Sequence, residues 1–312
     1  MNDISGVFVM ASSDTIANRG RLTICDFVKL FTEEEGIPFA LSQGLLKGHD
    51  VCPHCRSPDR VALHKNSGNP DAFDLHCAQC RKRFSVRNGT FFSRSRLPIP
   101  DILTIILLFV SDMNIIQTRV STAISDSSII EWYSFFREVC AHALNNDNMV
   151  IGGPGVKVEI SETLTLKRSG NRDNLDQKDW FFVGYCVDQK RGFLFPISDR
   201  DPATLMPLIN KHIAHGSIVQ SDQWLAYQHL TCMSWTQRDV NRSANTGINS
   251  FWKLIMRKIN STEESEGDQR HDRVIEAVYK RAFGFNSQMR FHKRLSIFLD
   301  HIIDFYSASQ AK

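Results

Sequence analysis

The 312-residue sequence predicts an α/β protein in which a small metal-stapled module and a helical segment precede a sheet-containing domain. Three observations predict it. Two CxxC pairs, Cys52-Pro-His-Cys55 and Cys77-Ala-Gln-Cys80, stand close together in the first third of the chain. The cluster Gly152-Gly-Pro-Gly155 cannot continue a helix and marks a boundary. Beyond it the apolar periodicity changes from helical to period two, and three strands, a helix, a strand and further helices follow.

Residues 1–50 form an N-terminal segment that is helical in part. Asp26-Phe-Val-Lys-Leu-Phe31 gives way to an acidic turn at Glu33-Glu34-Glu35, and Ile37-Pro38-Phe39 then leads into Leu45-Leu46. None of this carries chemistry. Residues 51–97 do. Four thiolates at the spacing of Cys52, Cys55, Cys77 and Cys80 suit a tetrahedral structural Zn²⁺ site, because each tight turn presents two sulfurs and the metal joins turns too small to fold on apolar burial. His54 and His76 are competing donors, but four sulfurs already fill the shell.

The second pair is followed at once by Arg81-Lys82-Arg83. Residues 52–96 hold nine Lys/Arg against three Asp/Glu, a local +6 in a chain whose total is +3, which leaves −3 for the remainder. A run of charge is often only a solvated face. Beside a zinc module it is the footprint of an element that touches phosphates. Cys25, Cys140, Cys186 and Cys232 are scattered through apolar surroundings and are expected as buried free thiols of a reducing compartment.

Residues 98–150 read as a helix-turn-helix-like segment. Pro98-Ile-Pro100-Asp101 starts a helix, with Asp101 as the expected cap, and the stretch from Ile102 is apolar on most faces and so expected to be buried. A short helix around 117–124, the turn Ser125-Asp126-Ser127 and a helix from Ile129 through Cys140 follow, an arrangement that a plain helical hairpin also satisfies.

Residues 151–260 carry the sheet. The strands are Val156 to Ile160, Trp180 to Val187 and Gly192 to Ile197; a helix over 202–214, a strand at Ser217 to Ser221, and helices from about Trp224 and over Ile248 to Ile259 complete the segment. That order is compatible with a ribonuclease-H-like domain. Residues 261–312 comprise an acidic mobile loop at 261–268 and C-terminal helices. In these, Phe291, Leu295, Phe298, Leu299, Ile302 and Phe305 recur at helical spacing, as a core or docking face does.

The N-terminus has no basic stretch followed by an apolar run, and Ile102 to Val110 falls far short of the ~20 residues of a membrane helix. A soluble intracellular protein with no membrane partner is the expectation.

A set of phrases taken in order resembles a known family. These are the zinc module, Ser85-Val-Arg-Asn-Gly-Thr-Phe-Phe-Ser93, Trp132-Tyr133 with Arg137-Glu138-Val-Cys140, Val158-Glu-Ile-Ser-Glu162, Arg191-Gly-Phe-Leu194, Ser221-Asp222-Gln-Trp224-Leu-Ala-Tyr227, Val240-Asn241 and Ser250-Phe-Trp252. From about residue 30 to residue 305 the chain looks like the Merlin superfamily of DDE transposases, relatives of bacterial insertion-sequence transposases. The resemblance implies a ribonuclease-H-like (DDE transposase/integrase) domain that uses three acidic residues to hold two Mg²⁺ or Mn²⁺ ions, one activating the attacking oxygen and the other stabilising the leaving 3′ oxygen.

Carried over by motif, the first acidic position falls on Ser161, where the family pattern resembles Glu-Ile-Asp-Glu. The second falls on Asp222 and is kept. The third falls on Asn249, where most members have Glu. Arg242 also stands where the family places a His. Going to Ser161/Asp222/Asn249 takes the formal charge from −3 to −1 against +4 on two divalent ions, and each lost anion removes several kcal/mol of metal binding. Glu159, two residues from Ser161 on the same strand face, is the possible substitute, whereas Glu162 points to the other face.

The expectation is therefore a transposase-derived, zinc-dependent DNA-binding protein that lacks catalysis and resides in the nucleus. The zinc module and the helix-turn-helix-like segment together would hold DNA, with Arg81, Lys82, Arg83, Arg87, Arg94 and Arg96 neutralising phosphates. Lys167 and Arg168 form an exposed basic loop which the resemblance makes a DNA-backbone contact. The sheet domain would act as a scaffold or as the surface of a homo-oligomer. Without the resemblance Asp222 reads as a helix cap. Two rivals stand beside this reading: an active metal-dependent transposase or nuclease using Glu159, Asp222 and Asn249, and a protein-interaction module in which the basic patch is incidental.

Overall fold

The computed structural model describes residues 23–32, 35–48, 51–93, 95–146, 149–166, 178–221, 236–239, 246–260, 270–285 and 289–310. It is a mixed α/β structure that divides into two compact units, 1–139 together with 287–312, and 140–286.

The first unit is built round the most apolar helix. Helices α1 (Ile24–Thr32) and α2 (Gly36–Ser42) precede a three-stranded antiparallel sheet of β1 (Val61–Lys65), β2 (Phe73–Cys77) and β3 (Arg83–Ser85), in that spatial order. Helices α3 (Ile99–Val110), α4 (Ile115–Ser121) and α5 (Asp126–Asn146) follow. Nine of the twelve residues of α3 are buried, as expected for a helix apolar all round, and α1, α2 and the C-terminal helix α9 (Phe291–Gln310) pack on it. Phe298 of α9 lies 5.1 Å from Phe109 and 5.6 Å from Phe136, ring centre to ring centre. The periodic apolar face of the tail is thus core.

Helix α4 begins with a reciprocal capping box. The Gln117 N–H donates to Asn114 Oδ1 at 2.8 Å, and the Asn114 N–H donates to Gln117 Oε1 at 2.9 Å. The Tyr133 hydroxyl ties α4 to α5, donating to the Met113 carbonyl at 2.8 Å and lying 2.7 Å from Thr118 Oγ1.

The second unit contains β4 (Lys157–Leu166), β5 (Lys178–Cys186), β6 (Arg191–Ile197), α6 (Pro202–His212), β7 (Ile218–Ser221), β8 (Thr236–Asp239), α7 (Thr246–Asn260) and α8 (Arg270–Ala282). Its five strands lie in the order β6-β5-β4-β7-β8. The first three are antiparallel neighbours, β4 and β7 are parallel, and so are β7 and β8. A return to parallel pairing needs a crossover, and α6 supplies it between β6 and β7. Among the described residues no helix is long and apolar enough to cross a membrane.

The Gly152–Gly155 cluster interrupts regular structure before β4, whereas the two compact units divide earlier, between 139 and 140. Gly152, Gly153 and Gly155 have φ of 92°, 142° and 76°, and a Cβ on Gly152 would stand 2.3 Å from Ser217 Oγ. Cys140 and Cys186 are buried as expected, but Cys25 is exposed, because it lies on the solvent side of the first turn of α1. Cys232, the helix expected from about Trp224 and the acidic loop at 261–268 lie outside the described residues.

Candidate functional site

The four cysteines form one cluster, with all sulfurs within 4.8 Å of one another. The Cys52–Cys80 and Cys55–Cys77 pairs are 3.8 and 3.7 Å apart. A tetrahedron with Zn–S bonds of about 2.3 Å has sulfur–sulfur edges of about 3.8 Å, so the donor set fits zinc in both number and spacing. His54 is exposed and His76 half-buried on β2, and neither belongs to the cluster.

Each knuckle is made by backbone bonds that the CxxC spacing allows. The Arg56 N–H donates to the Cys52 carbonyl at 2.9 Å and the Cys52 N–H to the Ser57 carbonyl at 3.0 Å. In the second knuckle the Arg81 N–H donates to the Cys77 carbonyl at 2.8 Å and the Cys77 N–H to the Lys82 carbonyl at 3.0 Å.

Without a cation, four thiolates repel one another, and the thiols separate in acidity. The Ser57 hydroxyl, followed by the Ser57 backbone N–H, holds Cys55 down to about 6. At Cys80 the Lys82 N–H pulls downward, but burial and the neighbouring sulfurs of Cys55, Cys77 and Cys52 push it up to about 11. Zinc must displace the proton held there, so its binding weakens in acid. Once bound, the ion supplies no reaction; it holds the two knuckles together.

The expected basic surface divides into two kinds of residue. Arg81, Lys82, Arg83 and Arg96 are exposed. Arg87 is not: only 9 % exposed, it spends its charge inside the protein. Its Nε and Nη2 both reach the Asp71 carboxylate at 2.5 Å, and Nη1 and Nη2 donate to the Ser95 and Leu97 carbonyls at 2.6 and 2.7 Å. Four of the five guanidinium N–H donors are thereby used, and Arg87 drops out of the phosphate-contacting set. Asp71 in turn accepts the Ile99 N–H at 2.9 Å, which makes it the cap of α3 in place of Asp101, where no side-chain cap bond from the helix's own residues forms. Arg94, Lys167 and Arg168 lie outside the described residues.

The acidic residues of the module follow the same division. Asp71 is paired and Asp74, also buried, accepts from Asn66 and Asn69, so of the three acids in 52–96 only Asp59 is exposed. Seven described cations of that segment are exposed beside it. The helix-turn-helix-like segment is the opposite. The exposed residues at the start and along α5 include Asp126, Glu131 and Glu138, and Arg119 of α4 is already within 3.3 Å of Asp126.

In the second unit, Glu159 and Ser161 lie two apart on β4 and therefore share a strand face. Glu159 is 5 % exposed and its Oε2 accepts the Ile248 N–H at 2.6 Å, at the start of α7. A Cβ on Gly247 would stand 3.0 Å from the same oxygen, so the carboxylate and the helix start are in close contact. Asn249 is the next residue after Ile248 and is exposed. Glu159 and Asn249 are thus brought to one neighbourhood, with Ser161 half-buried further along the strand. Glu162, fully buried, is paired with Arg200 at 2.8 Å, and the Arg200 guanidinium lies over the Trp180 ring at 4.7 Å. Asp222 lies outside the described residues, directly after Ser221, the last residue of β7.

Sequence reasoning missed two features. The role of Asp71 depends on a contact 28 residues away and had no local signal. Arg56 did have one, because the motif Cys-x-x-Cys-Arg occurs twice, ending at Arg56 and at Arg81.

No family model matches the chain. Among curated proteins it is similar to Male abnormal protein mab-31 of Caenorhabditis elegans, at 24% identity over 193 residues, which is 54% of this chain and 44% of that protein. The chain thus spans less than half the length of that relative. Among solved structures it is similar to a chain in the cryo-EM structure of a simian T-cell lymphotropic virus intasome in complex with PP2A regulatory subunit B56 gamma. The TM-score is 0.30 at 10% identity, covering 56% of this chain and 67% of that one, and a likeness at this level carries no argument.

Proposed function

We propose that the chain is a transposase-derived, zinc-dependent DNA-binding protein of the nucleus whose ribonuclease-H-like domain does not cleave. The observation that carries the proposal is the cysteine module, where four sulfurs at tetrahedral spacing stand in a segment whose described residues include seven exposed cations and one exposed acid. A surface of that sign recruits a polyanion by counterion release, and zinc supplies the rigidity that small loops lack. The DNA contact belongs to this module and not to α5, whose exposed charges are mainly acidic.

The order of the second sheet supports the ribonuclease-H-like reading, since three antiparallel strands pass through β4 to two parallel ones with a helix before β7. Loss of catalysis is supported by the use made of Glu159. Glu159, the best substitute for the carboxylate absent at Ser161, is engaged by the backbone of α7, and Asn249 offers an amide where an anion is needed.

The test is incubation of zinc-loaded protein with fragmented genomic DNA and Mn²⁺, mapping new 3′-OH ends against an Asp222→Ala control. The expected result is retention of DNA with no recurrent ends. Recurrent ends that vanish in the control would establish the active-enzyme reading instead. Failure to bind duplex DNA at low salt would leave the protein-interaction reading.

A further inference from the structure

The two zinc knuckles are the same device built twice, and each ends on an arginine. Arg56 and Arg81 directly follow the second cysteine of their pairs, and their N–H groups close equivalent turns onto Cys52 and Cys77. Their φ angles are +56° and +60°. This is the left-handed region, where a side chain crowds its own backbone and glycine is the residue that fits without cost. Both knuckles nevertheless carry arginine. Both side chains are exposed, and neither is engaged by a described acidic side chain. The positive φ belongs to the turn that closes each knuckle, and among the described residues neither guanidinium is tied up in an ion pair, so both forks are presented to a ligand.

We propose that Arg56 and Arg81 form a symmetric pair of backbone contacts, one per knuckle, each donating to a phosphate of duplex DNA. The inference rests on the DNA-binding reading above and names the residues that serve it. A guanidinium fork matches a phosphate in a planar, two-bond geometry that lysine cannot reproduce. Each fork is anchored one residue from a zinc ligand, so its backbone is fixed before binding. The two flanking positions differ, Ser57 in one knuckle and Lys82 in the other, so arginine is the cation common to both.

The experiment uses the full zinc-loaded chain and a 30-base-pair duplex of random sequence, with fluorescence anisotropy at several salt concentrations. Variants are Arg56→Gly, Arg81→Gly and the double change, with Lys211→Ala, an exposed lysine of the second unit, as the charge control. Glycine is chosen because it relieves the positive φ, so loss of binding cannot be ascribed to misfolding when the melting temperature is unchanged or raised.

The expected result is roughly five- to tenfold weaker binding for each single variant. The slope of log K against log salt should be less steep by about 0.9 per arginine, and by about twice that in the double variant. Zinc affinity, read by competition with a chromogenic chelator, should not change. If the parent binds with a steep salt slope while the glycine variants match Lys211→Ala, the pairing of Arg56 with Arg81 is wrong and the DNA reading stands. If the variants lose zinc, the arginines serve the thiolates and the proposal fails. A parent that binds no DNA overturns the functional reading itself.

Discussion

The cysteine module and the five-stranded sheet each place a buried carboxylate at the start of a helix, and they do so with different consequences. In the module, Asp71 accepts the first N–H of α3 and is held on its other side by the Arg87 fork. The ion pair is a structural clamp between the β1–β2 loop, the segment after β3 and α3, and the metal ligands are left free for metal. In the sheet, Glu159 accepts the N–H of Ile248 at the start of α7, two residues along β4 from Ser161. Under the proposed ribonuclease-H-like reading, a divalent ion would have to displace this cap from the same oxygen. The two cases show that a buried carboxylate is committed to a helix N–H whether a guanidinium also holds it, as at Asp71, or not, as at Glu159.

Removing the metal from the module should have the largest effect. Cys77→Ser, or strong chelation of the parent protein, should abolish amide-exchange protection in β1–β3 and remove DNA binding, because structural zinc supplies about 10–16 kcal/mol in small modules. Protection retained in β1–β3 would show that the module folds on apolar burial alone.

Breaking the clamp should come next. Arg87→Ala leaves the buried Asp71 carboxylate without its counter-charge, holding only the Ile99 N–H, a loss of about 3–5 kcal/mol. Arg83→Ala, on the exposed face, should fall within about 0.5 kcal/mol of the parent in urea unfolding. Equal costs for the two would return Arg87 to the surface.

Glu159→Ala should cost about 1–2 kcal/mol, seen as faster amide exchange at Ile248 and the first turn of α7. An unchanged exchange rate together with weaker Mn²⁺ binding would mean that Glu159 serves a metal instead.

The smallest effect is a pH dependence at His212. Its imidazole is 2 % exposed, with Nδ1 3.1 Å from the Met149 carbonyl and its ring 4.5 Å from Phe195. Burial holds it below its ordinary value of 6.5, with Lys211 adding to the effect and the Met149 carbonyl opposing it. Below about 6.5 the unfolded chain takes up the proton first. Stability should therefore be flat above that pH and fall below it, and a His212→Gln protein should show a shallower decline in melting temperature between pH 7 and pH 5.

Much of the fold was legible locally. Strands β4 to β7 and helices α3, α6, α7 and α9 stand near where periodicity places them, because burial on one face imposes its period on the sequence. Strand β8, Thr236–Asp239, was missed, since four polar residues with no apolar alternation carry no signal and are a strand only by pairing with β7. The capping of α3 was misread for a related reason. Asp101 stands in the right place by local spacing, but Asp71 reaches the free N–H from another element.

The sequence by itself determined the metal ligands, the sign of the charge around them and the absence of carboxylates at Ser161 and Asn249. These are matters of residue type and short spacing, which chain connectivity alone enforces. Only the tertiary structure decided which arginine is surface and which is core, and which carboxylate caps a helix. A charged side chain becomes structural or available according to what distant segments bring against it, and burying it unpaired costs more than any local preference can supply.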